Sequence, residues 1–173
     1  PNIVYLDTPE ITPPQVGTRA VGRATPGRHV TITNSFGMPS KPVAEWREDF
    51  RKARLNPGQL KMISVAGTPI ANALAQLADD YAQLAQTCFE DGAQVVELNF
   101  SCPNVTGTHG ALYADPQAAG VICRTVRDAV GSRRKFVVKA GFFKDAALLS
   151  NSVDAITSHA DGICAINTIP MEI

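Results

Sequence analysis

The sequence is poor in cysteine, has no surplus of either charge and contains no long apolar run, and each shortage excludes something. Its 173 residues include four cysteines, Cys88, Cys102, Cys123 and Cys164, too few for a disulfide scaffold. None has C-x-x-C spacing, which argues against a zinc or iron–sulfur site within the chain. They read as reduced cytosolic thiols, with Cys88, Cys123 and Cys164 expected to pack in the core and Cys102 set apart. Lys plus Arg and Asp plus Glu each number 16, so the formal charge is zero. A neutral chain without a basic run is a poor match for nucleic acid or an anionic membrane surface. No apolar stretch approaches the roughly 18 residues of a membrane span, and no signal-peptide pattern opens the chain. The first residue is Pro1 rather than Met, so the natural N-terminus is expected elsewhere. Internal repeats and low-complexity tracts are also lacking.

What is present suits one globular domain over residues 1–173, with 45% apolar and 18% charged residues. From residue 61 onward, apolar strands alternate with amphipathic helices. Strands are expected at 61–66, 94–99, 135–140 and 162–167. Thr68 followed by Pro69 reads as a helix start, and Gly92 as its stop. Asp115–Pro116 repeats that start for a helix ending at Gly131, and a further helix is expected over 145–159. The pattern is α/β with parallel strands, which a doubly wound sheet and a (β/α)8 barrel satisfy equally. The first 60 residues are broken by proline and glycine, with one helix expected over 41–55, anchored by Val43, Trp46 and Phe50.

In α/β folds, chemistry collects at the carboxyl ends of strands. Strand 94–99 runs into Cys102 and Asn104, strand 135–140 carries Lys139, and strand 162–167 ends in Asn167 and Thr168. Upstream, a short alternation through Val30 and Ile32 leads to Asn34. Taken singly, an asparagine here is a turn residue, a lysine a rim charge and a cysteine a small hydrophobe. Together, amides, an ammonium and a thiol on one face suit a planar ligand rich in carbonyl and N–H groups.

Residues 97–104 (ELNFSCPN) resemble the signature loop of the dihydroorotate dehydrogenases of the soluble, cysteine-using class 1. Residues 34–39 (NSFGMP) resemble that family's substrate loop. Residues 137–139 (VVK) and 165–168 (AINT) resemble its next two site strands, in the same order. The resemblance runs from about residue 31 to residue 173, and its specific part is 99–104.

It implies a (β/α)8 barrel, of which this chain is only the front and middle, with FMN across the strand ends. It implies Cys102 as the active-site base and Lys139 beside the flavin N1–O2 edge. Asn34, Asn99, Asn104 and Asn167 would hold the pyrimidine, with Asn99 and Asn167 also near the flavin. The backbone of Phe36, Gly37 and Met38 would line the substrate site, and Thr168 would adjoin it. The implied reaction is oxidation of dihydroorotate to orotate in de novo pyrimidine synthesis. The implied setting is a cytoplasmic homodimer, joined by an iron–sulfur electron-transfer subunit if NAD is the acceptor.

The residue types suit that chemistry. A proton must leave C5 and a hydride C6, and a thiol with an ordinary pKa of about 8.5 ionises near neutral pH with modest help. A quinone-linked enzyme would carry serine at position 102 and a membrane-associating leader, and neither is found. Two features depart from the family. Its earlier flavin lysine has no match in 4–6 or 15–22, where Arg19 is the nearest cation. The phosphate-binding loops expected of a barrel of about 250 residues have no Gly-rich candidate in this sequence. Residues 106–114 (TGTHGALYA) resemble the NAD-linked subclass and dihydropyrimidine dehydrogenases as closely as the fumarate-linked subclass. The alternatives are a flavin enzyme for another dihydropyrimidine, a non-flavin lyase using Lys139 as a Schiff-base amine, and an inactive partial barrel.

Overall fold

The structure, a computed structural model, describes residues 42–68, 73–101 and 108–166, with backbone only for 108–110 and for two short strands near the N-terminus. Those strands, β1 (Val4–Leu6) and β2 (Thr31–Thr33), pair antiparallel with Tyr5 opposite Ile32, in a unit of their own. The short alternation leading to Asn34 therefore belongs to an antiparallel pair and not to the parallel sheet. Buried parallel strands read as continuous apolar runs, and Thr-Ile-Thr is not one.

The second unit contains α1 (Val43–Lys52), β3 (Met62–Val65), α2 (Leu74–Glu90) and β4 (Val95–Asn99). Two 3-10 turns over Thr108–Ala114 follow, broken at Ala111. Then come α3 (Pro116–Val130), β5 (Lys135–Lys139), α4 (Ala146–Thr157) and β6 (Gly162–Cys164). The last four strands form one parallel sheet in the order β3-β4-β5-β6. All four expected strands form, each within a few residues of its expected bounds. Their unbroken order separates the two architectures that alternation alone left open. A doubly wound sheet reverses its order at a switch point, whereas here every strand adjoins its successor, as in a (β/α) barrel.

Strand alternation divides the sheet into two faces. Ile63, Val96 and Phe136 form one row, and Val65, Leu98, Val138 and Ile163 the next. Val96, Leu98, Phe136 and Val138 are fully buried in a core shared with Tyr81, Ala85 and Cys88 of α2 and Ile122, Cys123 and Val126 of α3. α3 packs between α2 and α4, so the three helices cover one face. Parallel sheets are ordinarily covered on both faces. The opposite face instead leaves Ser64 and Lys135 exposed and Met62 51% exposed among the described residues. That is the face a closed barrel turns inward.

Local chemistry sets the helix ends. Asp115 caps α3 as expected and Asp145, expected inside the next helix, caps α4, their carboxylates accepting from the Ala118 and Leu148 N–H groups. Gly92 and Gly131 adopt φ of 94° and 77°, the left-handed turn that closes a helix. The start of α2 differs from expectation. The helix begins at Leu74 after Ala73, which supplies no side-chain cap, and 69–72 lie outside the described residues. The Thr68 N–H is instead held by the Asp80 carboxylate at 2.7 Å.

α1 is shorter than expected and buries no residue fully. Of its expected anchors, Trp46 packs on the core, but Val43 is 56% exposed. Phe50 lies under the Lys61 ammonium, 4.7 Å from the ring centroid. The helix is held chiefly by charge. Arg47 grips the buried Asp91 carboxylate at 2.6 and 3.0 Å, and Arg51 adds a bond at 2.7 Å. Asp161 plays the same part between β5 and β6, accepting from Arg127, Lys135 and the Phe136 N–H.

Both carboxyls titrate below their ordinary value of 3.8. At Asp91 the Arg47 bonds, then Arg51, outweigh burial. At Asp161 burial is the largest effect and acts upward, but Lys135, Arg127 and the Phe136 N–H together prevail. A pKa lower in the folded state contributes stability above the unfolded value and loses it as pH falls through the folded one. Melting temperature is therefore expected to hold from neutrality down to about pH 5 and to fall below about pH 4. Asp91→Asn should lower the neutral-pH value and flatten the acid fall. An unchanged acid slope would contradict the clamp.

Candidate active site

The register places the polar strand ends in rows. Asn99 of β4 is directly opposite Lys139 of β5, and Lys139 is opposite Cys164 of β6. Adjacent strands lie about 4.8 Å apart, so the amide-bearing and ammonium-bearing residues are immediate neighbours on the inward face. Both are partly buried. One row below them, Ser64 is opposite Glu97, and its hydroxyl donates to the Glu97 carboxylate at 2.7 Å. Glu97 is only 7% exposed.

Asn99 is both a turn residue and a site residue. Its Oδ1 accepts from the Ser101 N–H at 3.2 Å and the Ser101 hydroxyl at 3.3 Å, an Asx turn that directs the chain out of β4. Its backbone carbonyl accepts from the Tyr81 hydroxyl at 3.0 Å. Phe100 extends the ladder by donating to the Lys139 carbonyl at 3.1 Å, with its ring buried edge-on to Tyr81. Close packing supports this corner. A Cβ on Gly67 would lie 2.7 Å from the Tyr81 ring, so glycine is needed at the end of β3.

Of the expected site residues, the structure brings Asn99 and Lys139 together. Asn34, Phe36, Gly37, Met38, Cys102, Asn104, Asn167 and Thr168 lie outside the described residues. Cys164 corrects an expectation. It is exposed rather than packed, because it sits on the inward row beside Lys139. Cys88 and Cys123 are buried, and burial pushes both thiols up to about 12. At pH 8 only about one in ten thousand would be thiolate, the reactive form. Alkylation of the native protein should therefore leave Cys88 and Cys123 unmodified until it unfolds, as peptide mapping would show. Rapid native labelling of either would contradict the packing.

Two features of this corner had no local sequence signal. Ser64 and Glu97 meet only through strand pairing, and Tyr113 reaches the end of β5 across the fold, its hydroxyl donating to the Phe142 carbonyl at 3.2 Å. Among the described residues, no His, Cys, Asp and Glu cluster could hold a metal ion. No described helix is long and apolar enough to cross a membrane.

A parallel sheet in consecutive order, with an amide and an ammonium side by side at its carboxyl ends, defines a β/α-barrel type of strand-end site. No family model matches the chain. Among curated proteins it is homologous to the dihydroorotate dehydrogenases. It is 29% identical to the dihydroorotate dehydrogenase of Dictyostelium discoideum over 100% of this chain and 49% of that protein. It is 30% identical to the dihydroorotate dehydrogenase B (NAD(+)) catalytic subunit of Bacillus pumilus, over 80% of this chain and 47% of that one. Identity to the corresponding subunit of Solidesulfovibrio magneticus is 34%, over 80% of this chain and 42% of the relative. The chain thus spans about half the length of these relatives.

Proposed function

We propose that this chain is part of an FMN-dependent dihydroorotate dehydrogenase, which oxidises dihydroorotate to orotate for pyrimidine synthesis. The observation that carries the reading is the pairing of Asn99 with Lys139 in the segment where the chain is homologous to that family. A cation and an amide in one inward row fit a flavin, whose N1–O2 edge gains negative charge on reduction. FMN, when bound, supplies the acceptor for the hydride that leaves C6.

The chain's own residues supply the rest. Cys102, as thiolate, removes the C5 proton from the pyrimidine face away from the flavin, and the C5–H electron pair completes the C5=C6 bond. Lys139 holds its positive charge at the N1–O2 edge. Asn99 helps hold the pyrimidine and borders the flavin. Asn34, Asn104 and Asn167 orient the pyrimidine edge, and Phe36, Gly37, Met38 and Thr168 border it. Relatives named as NAD(+)-linked catalytic subunits support NAD as one acceptor, with fumarate the other, and with NAD an iron–sulfur electron-transfer subunit would join the homodimer.

An absorbance spectrum of the purified full-length protein tests the cofactor. Flavin bands that survive desalting are expected. A colourless protein that takes up no added FMN would leave the lyase or inactive-barrel readings.

A further inference from the structure

The middle row of the inward face is unusual for a barrel interior. Strand register lines up Ser64, Glu97, Val137 and Gly162 across the sheet, where barrels ordinarily stack bulky branched apolar side chains. Glu97 is only 7% exposed, and the Ser64 hydroxyl donates to its carboxylate at 2.7 Å. A buried carboxylate costs stability that an apolar residue of similar volume would not. Two cations flank it on β5. Lys135, one row below, is engaged by Asp161 at 2.8 Å. Lys139, one row above, takes part in no ion pair among the described residues. Two residues along a strand and one strand across separate the Glu97 and Lys139 Cα atoms by about 8 Å. Opposite charges at that range still act on each other, because protein screens charge far less than water does.

We infer that Glu97 is a positioning residue for Lys139, its buried carboxylate drawing the ammonium toward the middle row and tempering the positive charge presented to the flavin. The inference rests on the proposed function, which gives Lys139 a flavin to act on. A cation beside the N1–O2 edge favours the reduced, anionic flavin. Left untempered, it would hold the electrons that the enzyme must pass to its acceptor. A carboxylate one row beneath sets the balance between taking up the hydride and giving the electrons away.

The test measures the equilibrium between oxidised and reduced flavin in the purified full-length holoenzyme, against a reference dye. Glu97→Gln removes the charge and keeps an acceptor for Ser64, and should shift that equilibrium toward reduced flavin by about tenfold. Glu97→Asp keeps the charge and should stay within about threefold of the parent. A role confined to packing would change the melting temperature and leave the equilibrium alone. If Glu97→Gln fails to fold, Ser64→Ala combined with Glu97→Leu makes both positions apolar and takes its place, with the same shift expected. An equilibrium unchanged in the charge-free variant, or shifted toward oxidised flavin, would overturn the inference and leave the functional reading standing. A full-length protein that binds no FMN would overturn both.

Discussion

Cys102→Ala in the full-length enzyme is expected to slow flavin reduction by dihydroorotate by roughly 10²–10⁴-fold, the usual worth of one acid–base group. The fold and FMN content should stay near the parent's. Cys102→Ser should be slow near neutrality and recover as pH rises, since a hydroxyl is the weaker acid. A thiol with an ordinary pKa of about 8.5 needs only a modest downward shift to serve as base near neutral pH. The competing possibility is that Cys102 packs as Cys88 and Cys123 do. Stopped-flow reduction separates the two, and a Cys102→Ala enzyme reducing its flavin at the parent rate would remove the assignment.

The largest effect on stability is expected at Phe136. Its side chain is fully buried on β5, which lies between β4 and β6. The Arg127 guanidinium lies over its ring, 4.6 Å from the centroid, and its backbone N–H is held by Asp161. Phe136→Ala removes that burial and leaves a cavity between sheet and helices, at a cost of about 3–5 kcal/mol. Against a typical total of about 5–15 kcal/mol, that is a large share. Phe136→Leu keeps an apolar filler and should recover most of it. Denaturant midpoints of the full-length protein give the comparison. A Phe136→Ala midpoint within error of the parent would mean that the core around β5 is not as described.

Much of the scaffold was legible because its signals are local. Asp115 caps its helix within three residues of itself, and short, largely apolar runs mark β4 and β5. What escaped depends on residues far apart in the chain. Arg47 and Asp91 are separated by 44 positions, and nothing near either announces the pair. Tyr113 reads as one residue of the stretch 106–114 beyond the motif until the fold brings its ring onto Gly141. Thr68 misled for the opposite reason. Its local capping signal was genuine, but Asp80 from the next helix holds its N–H, and the described helix starts at Leu74. At the site, the pairing of Asn99 with Lys139 was foreseeable from two motifs in sequence order. Their register, and the exposure of Cys164 beside them, required the sheet.

The most direct test is anaerobic addition of dihydroorotate to the purified full-length protein, followed by absorbance and by product analysis. The account predicts that the flavin bands bleach and that one orotate forms for each flavin reduced, with Lys139→Ala and Asn99→Ala both impaired. A flavin that dihydroorotate leaves oxidised, while dithionite reduces it fully, would contradict the proposed function.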